Sequence, residues 1–296
     1  MKTLFLLIKR NIKLFFKDKG LFFTSLITPL ILLVLYVTFL GNVYRDSFKM
    51  TFPKGMEISD TLLNAAVGGQ LVSSLLAVCC VTVAFCSNML MVQDKATGTR
   101  KDLTIAPVKG STLALGYYIS TFLSTLLICL IAVGAGLLYL GKIGWYLSGT
   151  DVVLLLLDVF LLVLFGVALS SIINFFLSTQ GQISAVGSIV SSMYGFICGA
   201  YMPISQFGEG LQNILSFLPG TYATSLLRNH MMRGVFAELK ADGYPTEIIG
   251  ILKDAIDCNI YFFDTKVSLP TMHLILGGSV VVLIGIYILM NVFKKK

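Results

Sequence analysis

Few side chains in this sequence have the chemistry of a site. Asp158 stands alone in an otherwise apolar stretch, Val152 to Leu177. A carboxylate at bilayer depth costs about 2.5–3.5 kcal/mol on insertion scales and therefore faces a partner or an aqueous cavity. Two readings stay open for it: a place on a translocation route, or a structural hydrogen bond to a neighbouring helix through a residue such as Gln70. His230 and His273 are the only histidines, too few for a His-rich metal site, so no metal is expected. None of Cys79, Cys80, Cys86, Cys129, Cys198 and Cys258 has metal or redox spacing. They read as small apolar fillers, with Cys258 alone outside the apolar runs. An intramembrane protease or hydrolase is not expected. Neither G-x-x-x-x-G-K-[ST] nor G-x-G-x-x-G occurs, so the chain is expected to bind no nucleotide and any energy from ATP must arrive through another polypeptide.

The segment best suited to receive such a push is Asp94 to Val108. Gly98 permits a turn at positive φ. Thr99 with Asp102 resembles a capping box, and Pro107 ends the helix that would follow. The spacing predicts a helix of one to two turns, with Leu103 and Ile105 free to dock and Arg100 and Lys101 to pair with acids on a partner.

The elements around these residues follow from composition. Of 296 residues, 56% are hydrophobic and 12% charged; soluble domains carry roughly 25% charged residues. The chain therefore reads as an all-α polytopic membrane protein. Charge-free gaps place six spans at 21–40, 62–93, 111–140, 152–177, 183–202 and 269–293, with Ser178 to Gln182 dividing the fourth from the fifth. Residues 1–19 place Lys2, Lys9, Arg10, Lys13 and Lys17 within about a 100° arc, opposite Leu4, Ile8, Ile12 and Phe15. That pattern predicts an interfacial helix, and a cleaved secretory signal is a poor match.

Basic residues are retained on the cytoplasmic side. With both termini inside, the inner segments hold thirteen of the 22 Lys and Arg, at the N-terminal helix, in Lys95, Arg100, Lys101 and Lys109, and in Lys294 to Lys296. Asp18, Asp94 and Asp102 are their only acids. The formal charge of +7 thus reflects orientation and calls for no nucleic acid.

Asp94-Lys95, Gly98-Thr99, Leu103 and Pro107 together resemble the cytoplasmic loop of ABC-2 type transporter permeases, with Asp-Lys where many relatives carry Glu-Arg. A second resemblance follows span five: Pro203, then Leu218-Pro219-Gly220-Thr221-Tyr222, is similar to the outer re-entrant hairpin of that family, here 203–227. Gln206-Phe207-Gly208 replaces a further proline. The resemblance implies a coupling helix at 94–108 seated on a separate ATPase subunit that carries ATP and Mg. It also implies a second permease subunit, identical or related, and a multi-pass place in the cell membrane, a bacterial plasma membrane, with both termini cytoplasmic. On this reading Asp94, Lys95, Gly98, Thr99, Arg100, Lys101, Leu103, Ile105 and Pro107 couple to the ATPase, and the chain is an exporter permease and not an enzyme. The competing reading is a proton-coupled secondary transporter titrating at Asp158, although no internal repeat or second intramembrane carboxylate supports it. A non-transporting scaffold is a third.

Outside the membrane, Tyr44 to Asp60, with Pro53 and Gly55, reads as a solvated loop. Residues 228–266 read as an outer cap with a helix over Glu247 to Ile256, placed there for cargo or for packing.

Overall fold

A computed structural model describes residues 2–51, 58–105 and 108–293. Helix α1 (Lys2–Lys17) buries Leu7, Asn11 and Phe15, and Asp18 breaks it by accepting from the Leu21 backbone N–H at 3.0 Å. That cap starts α2 (Lys19–Leu35), which runs through a π turn at Tyr36–Leu40 into α3 (Gly41–Thr51).

The first span is thus longer than its 21–40 sequence bounds, and the expected loop from Tyr44 is helical as far as Thr51. Tyr44 stacks on Tyr36 with ring centres 5.6 Å apart, Phe48 packs with Leu62 and Leu63, and Arg45 reaches Asn64 at 2.6 Å and Asp60 at 2.5 Å. Apolar cover and paired charge together keep the helix going where composition suggested solvent. Pro53 and Gly55 lie outside the described residues.

Helix α4 (Asp60–Ala96) occupies the centre, packed against α6 (Gly110–Ile143), α7 (Gly149–Phe176), α8 (Gln180–Ile197) and α10 (Pro219–Ala241). It is buried on nearly every side, polar residues such as Gln70, Ser74 and Asn88 included. Small residues let its neighbours approach closely: a Cβ on Gly166 of α7 would stand 3.0 Å from the Cys80 carbonyl oxygen. In contrast α12 (Leu269–Phe293) leaves Leu274, Val281 and Val282 exposed, the surface of a helix facing lipid or another subunit.

Short elements complete the chain: α5 (Thr99–Ile105), α9 (Glu209–Leu215), α11 (Thr246–Ala255), and a two-stranded antiparallel ribbon of β1 (Tyr261–Phe262) and β2 (Thr265–Lys266). Among the described residues five helical stretches are long and apolar enough to cross a membrane: Lys19–Met50, Asp60–Ala96, Gly110–Ile143, Gly149–Phe176 and Leu269–Phe293. Helix α8, the expected fifth span, falls outside this set because Gln180, Gln182, Ser184, Ser188, Ser191 and Ser192 dilute its apolarity. It ends at Ile197 and not at 202, where Gly199 takes φ 75° and turns the chain. The divider before it is a reciprocal capping box of Thr179 and Gln182.

The expected division between a hairpin ending at 227 and a cap beginning at 228 falls inside α10. A charge at Arg228 suggested a boundary, yet Arg228 is fully buried and bonded to Asp257 at 3.1 Å, to Ser74 at 3.3 Å and to the Gly199 carbonyl oxygen. The charge is satisfied within protein, so the helix has no reason to stop. Asp257 in turn accepts from the Ile204 and Ser205 backbone N–H groups at 2.5 and 3.0 Å, fastening the short turn after Pro203.

Candidate coupling element and membrane groove

Helices α4 and α6 are joined at one end by α5, and this is also the end at which α1 packs. Gly98 has φ 83°, a backbone that L side chains adopt only at a cost, and nothing lies within 4 Å of where its Cβ would be. Its carbonyl accepts from the Lys101 N–H at 2.8 Å, starting the seven-residue helix. Thr99 is therefore the first helical residue and not the cap that the Thr99–Asp102 spacing suggested; its hydroxyl lies 3.0 Å from that of Thr97. The left-handed turn at Gly98 displaces the expected cap by one residue.

The flanking pair works inward. Asp94 accepts two bonds from Arg10 of α1, at 2.7 and 2.9 Å, and a third from the Tyr117 hydroxyl of α6 at 2.5 Å. The Lys95 ammonium donates to the carbonyl oxygens of Asn174, Phe175 and Leu177, each at 2.8 Å, where α7 ends and its carbonyls lack helical partners. Asp94 and Lys95 thus position the connecting helix by holding α1, α6 and α7 around its root.

What remains for a partner is the helix itself. Leu103 is half-buried against the core, Ile105 is 83% exposed, and Lys101 and Asp102 face outward. Arg100 is half-buried, with one guanidinium nitrogen covered and without a hydrogen-bond partner among the described residues. Pro107 lies outside the described residues.

A groove of about 700 Å³ runs between α2, α4 and α8, lined by Thr24, Thr28, Gln93, Ser184, Ser188 and Ser191 among apolar neighbours. The hydroxyls recur at helical spacing on α8, as Ser184, Ser188, Ser191 and Ser192 already do in the sequence.

Asp158 is elsewhere. It is buried between α7, α10 and α12, 2.5 Å from His230 Nδ1 and 2.9 Å from His273 Nε2. Its partners are the two histidines and not Gln70. Gln70 is fully buried on α4, its amide without a hydrogen-bond partner among the described residues. One carboxylate thus gathers both histidines, whose number alone suggested no such cluster.

Pro203 precedes a 3-10 turn, Ile204–Gln206. Pro219 and Gly220 are the first residues of α10, so the chain reverses at Ser216 to Leu218 and not at Pro219-Gly220. Pro at the first helical position lacks only an N–H that would be unpaired anyway. Thr221 and Tyr222 close the reversal by donating to the Leu215 and Ser216 carbonyl oxygens at 2.8 and 2.5 Å.

Long apolar helices packed around α4, with a short helix across one end, are the architecture of an all-α polytopic membrane protein. The chain belongs to the ABC-2 type transporter family, whose model matches residues 2–232. A search of curated proteins found no match. The matched region takes in α1 through most of α10, including the element at Thr99–Ile105 and the groove.

Proposed function

We propose that the chain is the permease subunit of an ABC exporter, with α8 as the fifth of six spans, both termini cytoplasmic, and a separate ATPase subunit carrying ATP and Mg. The observation that carries this reading is α5, rooted by Asp94 and Lys95 in three other helices while its Ile105 end is exposed. A push on such a lever is transmitted to α1, α6 and α7 without being absorbed in a loop. A conformational change needs an ATP-bound partner that contacts the lever differently in its two states.

A second permease copy, identical or related, would sit against the exposed apolar residues of α2, among them Phe23, Ile27 and Ile31, and close the α2–α8 groove into a path. The segment 203–227 serves as an outer re-entrant hairpin, since irregular backbone at membrane depth needs protein or water around it. The competing proton-coupled reading is disfavoured by the place of Asp158, which lines no part of that groove.

Co-purification with the ATPase encoded beside it, followed by ATP-dependent export in reconstituted vesicles, tests the proposal. Uphill transport by the chain without any ATPase would refute it.

A further inference from the structure

We infer that Asp158, His230 and His273 form a binding site for a divalent transition-metal ion of the zinc class at the outer end of the helix bundle. The three residues come from α7, α10 and α12, and one donor atom from each lies within 4.8 Å of the others. Two imidazole nitrogens and a carboxylate oxygen are a recurrent zinc donor set, and three protein ligands leave a fourth position for water.

The hydrogen bonding of His273 calls for a positive species. Its Nδ1 lies 3.1 Å from the Leu269 carbonyl oxygen, which can only accept, so Nδ1 carries a proton and donates. In the neutral ring Nε2 then bears a lone pair, yet it faces Asp158 Oδ1 at 2.9 Å, also an acceptor. His230 Nδ1 converges on the other carboxylate oxygen at 2.5 Å. His230 can donate from Nδ1 as a neutral ring, whereas His273 meets acceptors at both nitrogens and so takes up a positive charge on Nε2, a second proton or a metal ion. A backbone carbonyl that orients a histidine through its far nitrogen is also the usual support of a metal ligand.

Access and size are suitable. Asp158 and His230 are buried, whereas the His273 side chain is 23% exposed. Both histidines line a half-open pocket of about 730 Å³ with Leu154, Leu157 and Arg233. Arg233 is paired with Asp151 at 3.3 Å, which offsets its charge beside the mouth. Zinc bonds of about 2.0–2.2 Å set tetrahedral donors roughly 3.3 Å apart. The two close contacts open by less than an ångström to accept the ion. The bound ion ties α10 and α12 to α7 and makes the outer face responsive to external metal.

The test uses the full chain in lipid nanodiscs, stripped with EDTA and titrated with Zn²⁺, and with Co²⁺ as a spectroscopic probe. The expected result is one ion per chain, tetrahedral Co²⁺ absorption, and a rise in thermal midpoint. His273→Ala, at a partly exposed position, and His230→Gln should each weaken binding at least about tenfold while leaving the circular dichroism unchanged. Absence of uptake, with the thermal midpoint responding to pH alone, would assign the trio to a bound proton and overturn the proposal. Uptake undiminished in both variants would place the ion elsewhere and overturn it too.

Discussion

Arg10 grips Asp94 with both guanidinium Nη atoms, at 2.7 and 2.9 Å, joining the N-terminal helix to the root of the connecting helix. The carboxylate is nearly buried and the guanidinium about one-third exposed, so screening is partial. Arg10→Ala is expected to cost about 1.5–3 kcal/mol, the range for hydrogen bonds to charged groups. Arg10→Lys should recover only part of this, because an ammonium cannot present the two-pronged fork. Thermal unfolding in nanodiscs measures both, and an unchanged midpoint for Arg10→Ala would remove the staple from the account.

Lys95 closes the end of α7 with three bonds to its last carbonyls. Lys95→Met keeps the stem and deletes the charge, and should destabilise the protein by about 2 kcal/mol, the upper range for a cation at a partly buried helix C-terminus. Hydrogen exchange at Asn174 to Leu177 should rise with it. Unaltered exchange there would count against a capping role.

Gly98→Val forces a β-branched residue into left-handed backbone, a strain of about 1–2 kcal/mol, with no steric clash because the space around Gly98 is open. The expected outcome is ATP hydrolysis uncoupled from export while membrane insertion is preserved. Gly98→Asn, which tolerates that backbone, should stay closer to the parent. Equal coupling in parent and valine variant, assayed in vesicles, would argue against a lever at this turn.

Ile105 is exposed, so Ile105→Asp should change stability by no more than about 0.5 kcal/mol. If the ATPase covers it, loss of about 1.5–3 kcal/mol of apolar burial should weaken the complex roughly ten- to a hundredfold. Titration of the ATPase onto nanodiscs reads this directly, and undiminished affinity would exclude Ile105 from the contact.

Burial pushes the Cys258 thiol up to about 12. A raised value means less thiolate at any lower pH, so at pH 8 only about one part in ten thousand is reactive. A maleimide should leave Cys258 unlabelled in the folded chain and label it on denaturation. Rapid labelling of the native protein would show that the cap opens.

Much of the bundle is legible in order along the chain. The rough positions of the long helices follow from charge-free runs, the break between α7 and α8 from Thr179 and Gln182, and the short helix after Gly98 from its turn. These are local effects: the insertion cost of a charge and the bond from a cap depend on residues within a turn or two. The amphipathic start is legible for the same reason, since the 3.6-residue period alone puts Arg10 and Phe15 on opposite sides of α1.

Tertiary structure alone decided which charges and aromatic rings find partners. Arg228 reads as the end of a segment until Asp257, Ser74 and Gly199 surround it, and Tyr44 and Phe48 read as loop residues until Tyr36 and Leu62 cover them. Asp94 and Lys95 look like docking groups until Arg10, Tyr117 and the end of α7 claim them. Asp158 looks solitary until α10 and α12 bring His230 and His273 to its two oxygens. In each case neutralisation comes from atoms remote in the chain, and one sequence records the need for a partner without recording which one arrives.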